Sequence, residues 1–236
     1  NAAPVYAAKR LMSGLNAPQQ AAVAYVEGPL LVLAGAGSGK TKVITEKIAH
    51  LIHSKTFPPE QIAAITFTNK AAREMRERVA KRISKTAAEA VTVTTFHSLG
   101  LQFLQTEAKL AGLRRGFSIF DTDDQQGILK ELLPAGADKD ALYAAHNWIS
   151  KVKNLALSPE QAAETAATVR ERQIAELYAR YQARLQAFNA VDFDDLIRLP
   201  LQVLEQIDYP AEQALLLAGL SLIKPLTQQA FYYPTR

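Results

Sequence analysis

The chain has 236 residues, 48% hydrophobic, 21% charged and 8% aromatic, which is ordinary globular usage and excludes collagen-like, low-complexity and wholly disordered classes. It has no cysteine, so a disulfide framework and a Cys-based zinc site are excluded and a cytoplasmic setting is the default expectation. A net charge of +4 permits a polyanionic partner without requiring one. The longest strongly apolar run, residues 214–223, falls far short of the roughly 20 residues that cross a bilayer. Residues 1–10 lack the form of a signal peptide, so no membrane association is expected.

In chain order, Gly28-Pro29 precedes the apolar run Leu30, Leu31, Val32 and Leu33, which reads as a buried strand, and a glycine-rich loop follows at residues 34–39. From Thr41 the apolar positions Val43, Ile44, Ile48, Leu51 and Ile52 recur at helical spacing until Phe57-Pro58-Pro59. A second strand is expected at residues 62–67, followed by a charged helix capped by Thr68-Asn69 and running to about Ile83. A third strand, residues 91–95, leads through Phe96-His97 into another helix. Three alternations of strand and helix predict a parallel sheet covered by helices. Between about residues 105 and 190 the periodicity is helical throughout, with helix starts at Asp121 and Ser158, and this stretch is expected to be an all-helical insertion.

Residues 34–41, Ala-Gly-Ala-Gly-Ser-Gly-Lys-Thr, fit the phosphate-loop pattern with Ala34 in place of its first glycine, in the expected context between strand and helix. Such a loop turns successive backbone N–H groups, here those of Ala36, Gly37, Ser38 and Gly39, toward phosphate oxygens at a helix N-terminus. Lys40 would then reach the β and γ phosphates of a bound nucleotide, and the Thr41 hydroxyl would be a ligand for the Mg2+ that bridges them. A plain Gly/Ser turn would not require Lys-Thr after its last glycine.

Four segments in order resemble the Rep/UvrD-like superfamily 1 DNA helicases, nearest to the Rep members: Leu15-Asn16-Ala17-Pro18-Gln19, the phosphate loop, residues 64–75 and Thr95-Phe96-His97-Ser98-Leu99-Gly100. A fifth, Val191-Asp192-Phe193-Asp194-Asp195-Leu196, follows the helical stretch, and the resemblance spans about residues 15–204. It implies a P-loop NTPase (RecA-like) α/β core at residues 1–104 and 191–205, a helical subdomain at 105–190 and an unassigned tail at 206–236. It further implies that Gln19 reads the adenine edge, since an amide both donates and accepts, and that Lys42 stands near the nucleotide where the family often has Arg. Single-stranded DNA contacts are implied for Phe67, Thr68, Asn69, Thr95, Phe96, His97 and Phe193, with aromatics stacking on bases and polar groups holding phosphates.

Bland readings stand beside these. Phe67 is also a candidate core aromatic, and the arginines and lysines of residues 73–82 form i,i+4 pairs with Glu74 and Glu77 on a solvated helix face. No second ligand is spaced to make His97 a metal ligand or general base. Asp192, Asp194 and Asp195 read as mainly structural, and Trp148, Tyr178 and Tyr181 as packing residues. The Asp-Glu pair that a motor of this type needs for metal and water is not found, nor are motifs of a second motor domain. The expectation is therefore the ATP- and DNA-binding part of a 3′ to 5′ helicase that by itself hydrolyses almost nothing, with replication or repair proteins as further partners. A small-molecule P-loop kinase and a non-catalytic nucleotide-dependent interaction module are the alternatives.

Overall fold

A computed structural model describes residues 14–28 and 30–206. The chain divides into two compact units, one reaching Phe96 and one starting at His97.

In the first unit, helix α1 (Ala17–Ala24) opens on a capping box in which the Asn16 side chain accepts from the Gln19 N–H and the Gln19 side chain accepts from the Asn16 N–H. Helix α2 (Lys40–His53) packs along it, and the Lys47 ammonium donates to the carbonyls of Ala22 and Tyr25, which α1 leaves without helical partners. Strands β1 (Ala63–Thr66) and β2 (Thr92–Thr95) pair in parallel, Ala63 opposite Thr92 and Thr66 opposite Thr95. Helix α3 (Asn69–Ala80), capped by Thr68, buries Ala72, Met75 and Val79. Their i, i+3, i+7 spacing makes one stripe, which packs with Ala64, Val93 and Ile48 of the neighbouring elements. A short helix α4 (Lys85–Ala90), capped by Ser84, precedes β2.

One expected strand is absent. Residues 30–33 carry no strand assignment, and their side chains are exposed, Leu31 at 75% and Leu33 at 88%. An all-apolar strand belongs in a sheet interior, with a neighbour at each edge and cover on both faces. Among the described residues β1 and β2 pair with each other alone, so periodicity identified a segment fit for burial without the partners that would bury it.

The second unit contains helix α5 (Phe96–Thr106) from its second residue on, then strand β3 (Ser118–Phe120), helices α6 (Thr122–Leu132), α7 (Lys139–Asn154), α8 (Pro159–Glu164) and α9 (Val169–Ala187), strand β4 (Ala190–Asp192) and helix α10 (Asp195–Gln206). Residues 105–190 are thus not all-helical: β3 pairs in parallel with β4, Ser118 opposite Ala190 and Phe120 opposite Asp192. Three residues are too few for a period-2 pattern to register in the sequence. The expected starts at Asp121 and Ser158 are capping boxes. The main core joins Leu129, Ile149, Tyr178, Tyr181 and Leu185. Trp148 packs against that core as a partly buried residue.

Helices α5 and α10 meet at Gly100, where a Cβ would lie 1.7 Å from the Leu196 carbonyl oxygen. Pro200 sits inside α10, four residues after Leu196, and has no N–H to give that carbonyl. The tail from 207 onward, with the apolar run at 214–223, lies outside the described residues.

Candidate nucleotide and nucleic-acid interfaces

In the loop, Gly37 and Gly39 hold φ of +74° and +83°, left-handed values that cost a residue with Cβ about 1–2 kcal/mol. Gly39 is the N-cap of the 14-residue α2, and no side chain caps that helix end. The first-turn N–H groups and the positive end of the helix dipole are therefore left to an anion. The Ser38 hydroxyl donates to Gly35 O at 2.7 Å, and Lys40 Nζ folds back to Ala34 O at 3.0 Å and Gly35 O at 2.7 Å. The lysine must leave these carbonyls to reach a phosphate.

Gln19 stands against this loop. Its Nε2 donates to Ser38 O at 3.0 Å, and its Oε1 accepts from Asn16 N at 3.0 Å. A primary amide has two N–H groups and two oxygen lone pairs, so one donor and one acceptor remain for a base edge. Lys42 Nζ donates to Gly14 O at 2.7 Å, and Lys42 also lines a cleft with Thr45, Glu46, Arg78, Lys81 and Arg82. There Arg82 pairs with buried Glu46 at 2.6 Å.

At the ends of β1 and β2, Phe67 is 75% exposed, which sets aside the core-aromatic reading. Its ring meets that of Phe96 edge-on at 5.9 Å between centroids. Thr68 spends its side-chain oxygen on the Ala71 N–H as the α3 cap, Asn69 is the first residue of that helix, and Thr95 is buried at the end of β2.

In the second unit, His97 lies edge-on to Phe193 at 6.1 Å. Burial pushes its imidazole below the ordinary histidine value, so it is a neutral ring at neutral pH. Phe193 is 48% exposed, while Asp192 and Asp195 on either side are each 1% exposed. Lys153, also 1% exposed, explains how those carboxylates are tolerated: its Nζ donates to Asp192 Oδ2 at 2.6 Å and Asp195 Oδ2 at 3.0 Å. Arg198 donates from Nε and Nη2 to Asp195 Oδ1 at 3.0 and 2.9 Å. The Tyr181 hydroxyl donates to Asp192 Oδ2 at 3.0 Å, and the Asp195 N–H donates to Asp192 Oδ1 at 3.0 Å.

Two cations thus neutralise two buried anions, the condition for burying charge at tolerable cost. Burial alone would lower the Lys153 value, but Asp195 and Asp192 outweigh it and hold the ammonium above its ordinary value. Burial would raise Asp195, yet Lys153 and Arg198 hold it below the usual carboxylate range. Asp194, by contrast, is pushed up, by burial first and the Asp192 charge second. The acidic cluster is therefore engaged by cations and hydrogen-bond donors, and no group of three His, Cys, Asp or Glu fit to hold a metal occurs among the described residues.

Sequence reading missed Lys153 and Arg198. The i,i+3 spacing of Asp195 and Arg198 was a visible signal; Lys153 lies 39 positions before Asp192, and only folding brings them together.

A family model described as the UvrD/REP helicase N-terminal domain matches residues 15–218, running past residue 204, where the motif resemblance stops. The chain is 48% identical over 194 residues to the ATP-dependent DNA helicase Rep of Escherichia coli (strain K12), covering 81% of this chain and 29% of that protein. To Rep of Salmonella typhimurium it is 47% identical over 84% of this chain and 30% of the relative. To the ATP-dependent DNA helicase PcrA of Bacillus subtilis (strain 168) it is 42% identical over 86% and 28%. The chain therefore spans less than a third of the length of these relatives.

Proposed function

We propose, for a chain that belongs to the UvrD/REP helicase family through its N-terminal domain, that it is the ATP- and single-stranded-DNA-binding part of an ATP-dependent DNA helicase moving 3′ to 5′. The observation that carries this reading is the phosphate loop: left-handed Gly37 and Gly39 lead into a helix end that no side chain caps.

The loop fits a nucleoside triphosphate. Backbone N–H groups of Ala36, Gly37, Ser38 and Gly39 hold phosphate oxygens, while the Lys40 ammonium exchanges two carbonyls for the β and γ phosphates. Gln19 offers its remaining N–H and lone pair to the adenine, and Lys42, once released from Gly14, adds a cation on the same side. Mg2+, when bound, would supply charge neutralisation, and Thr41 is the residue of this chain that would hold it. Phe67 and Phe96 in one unit, and His97 and Phe193 in the other, present rings that stack on bases without reading sequence, while Thr68 and Asn69, at the start of α3, are suited to phosphate contacts.

Residues 1–236 contain no Asp-Glu pair to complete metal binding and orient water, so this chain by itself binds ATP and DNA with little turnover. Translocation also needs a second motor body that closes and opens with nucleotide; partners of that kind, and other replication or repair proteins, belong to this proposal. Among the described residues no helix is long and apolar enough to cross a membrane.

The test is fluorescence polarisation of labelled single-stranded DNA across a salt series, with and without Mg2+ and a nonhydrolysable ATP analogue. Salt-sensitive binding that responds to the analogue supports the reading; analogue binding with no DNA affinity even at low salt refutes the DNA half. Substantial DNA-stimulated ATP hydrolysis would refute the claim of little turnover.

A further inference from the structure

Phe193 occupies a two-residue link between the end of β4 and the start of α10, and each of the three carboxylates around it accepts a hydrogen bond from the end of α7. Lys153 binds Asp192 on one side of the link and Asp195 on the other. Asn154, the next residue, donates from Nδ2 to Asp194 Oδ1 at 2.9 Å and to Ser150 O at 2.8 Å. Consecutive side chains at the last turn of α7 therefore grip all three acidic residues that flank the exposed ring. Tyr181 of α9 reinforces the grip through Asp192, and its own ring lies 5.3 Å from Lys153 Nζ.

We infer that Lys153 and Asn154 are positioning residues that fix the Phe193 ring for base stacking, so that the helical subdomain sets the geometry of a DNA contact through the end of α7. The inference rests on the proposed DNA role of Phe193. Stacking depends on ring position, and a two-residue link between rigid elements has few conformations once both ends and its middle are pinned. The ammonium spans the link from Asp192 to Asp195, and the adjacent amide holds the third acid inside it.

The experiment is a double-mutant cycle on the full chain, with polarisation of a fluorescein-labelled thymidine oligonucleotide as the readout and thermal unfolding measured for each variant. Phe193→Ala is expected to weaken binding about five- to 150-fold, the range of one lost base stack. Asn154→Ala is expected to weaken it about two- to tenfold in the parent and not at all in the Phe193→Ala background. Equal weakening by Asn154→Ala in both backgrounds, or none in the parent, overturns the inference while leaving the DNA role of Phe193 intact. If Phe193→Ala itself changes nothing, the DNA role fails and the inference fails with it. Lys153→Met leaves two buried carboxylates with one fewer cation; if it folds, it must show the same dependence on Phe193, and if it does not, Asn154→Ala decides alone.

Discussion

Replacing Gly100 by alanine should destabilise the protein, against the usual sign for a glycine inside a helix. Gly→Ala at an unconstrained helical site gains about 1 kcal/mol. At Gly100, however, the new Cβ would lie 1.7 Å from Leu196 O and 2.9 Å from Leu196 C, both backbone atoms that no rotamer change can move. Helix α10 must then draw back from α5 by roughly an ångström, and overpacking of this kind costs about 1–3 kcal/mol, occasionally more. The same shift loosens Leu104, Val191 and Leu196, which form one buried cluster. Set against the gain of about 1 kcal/mol, the net expectation is a loss of about 1 kcal/mol, or a melting temperature lower by roughly 2–4 °C for a chain of this size. Gly127 in α6 supplies the control, since a Cβ there meets nothing within 4 Å and Gly127→Ala should stabilise by up to about 1 kcal/mol. Urea and thermal unfolding of parent and both variants make the comparison. A Gly100→Ala protein as stable as the parent, with Gly127→Ala behaving normally, would show that the two backbones do not touch as described.

Gly39→Ala forces a left-handed residue with a Cβ 3.1 Å from Gln19 Nε2; a strain of about 1–2 kcal/mol should weaken ATP-analogue binding roughly five- to thirtyfold, and unchanged affinity by calorimetry would remove the cradle argument. Phe67→Ala, deleting a ring already 75% exposed, should leave the unfolding midpoint nearly unmoved while weakening single-stranded DNA binding by about 1–3 kcal/mol; a large drop in stability would return Phe67 to the core. Asp194 is pushed above the ordinary carboxylate value, so its ionisation opposes folding above that pKa. Asp194→Asn should therefore raise the urea midpoint at pH 7, with the gain vanishing as pH falls to where the parent carboxyl is protonated in both states. Asp195 has the opposite sign: held below its ordinary value, it stabilises above about pH 3.9 and loses that contribution as pH falls through its folded value. Lys153, held above its ordinary value, stabilises below about pH 10.4 and loses that contribution as pH rises through its folded value. A midpoint that rises as pH falls below 3.9 in the Asp194→Asn protein would contradict the Asp195 assignment.

What could be read from sequence was whatever local chemistry decides. Thr68, Asp121 and Ser158 announced helix starts because an N-cap needs a short polar side chain and nothing distant. The glycine-rich turn ahead of α2 was legible for the same reason, the glycines that take positive φ being contiguous with the helix start. Failures came where the outcome depends on partners far along the chain. Residues 30–33 have the composition of a buried strand, but burial is a property of neighbours. Strand β3 escaped because Ser118, Ile119 and Phe120 are too few to show a period, and they become a strand through residues 190–192. The aspartates were recognised as structural before their cations were known, since Lys153 looks like any helical surface lysine until α7 turns it inward. The role of Gly100 was invisible for a related reason: its Cβ space is taken by the carbonyl of a helix 96 positions later.

The apolar segment at residues 30–33, which enters the glycine-rich loop, leaves its side chains exposed. Exposed apolar segments are places where other chains pack. Because this segment runs directly into the loop, pairing with another chain and nucleotide binding would be thermodynamically linked. If pairing steadies the loop and tightens its hold on phosphates, bound nucleotide must favour pairing to the same degree. Apparent affinity for ATP then becomes a function of protein concentration, and a titration at one concentration reports the association state together with the site.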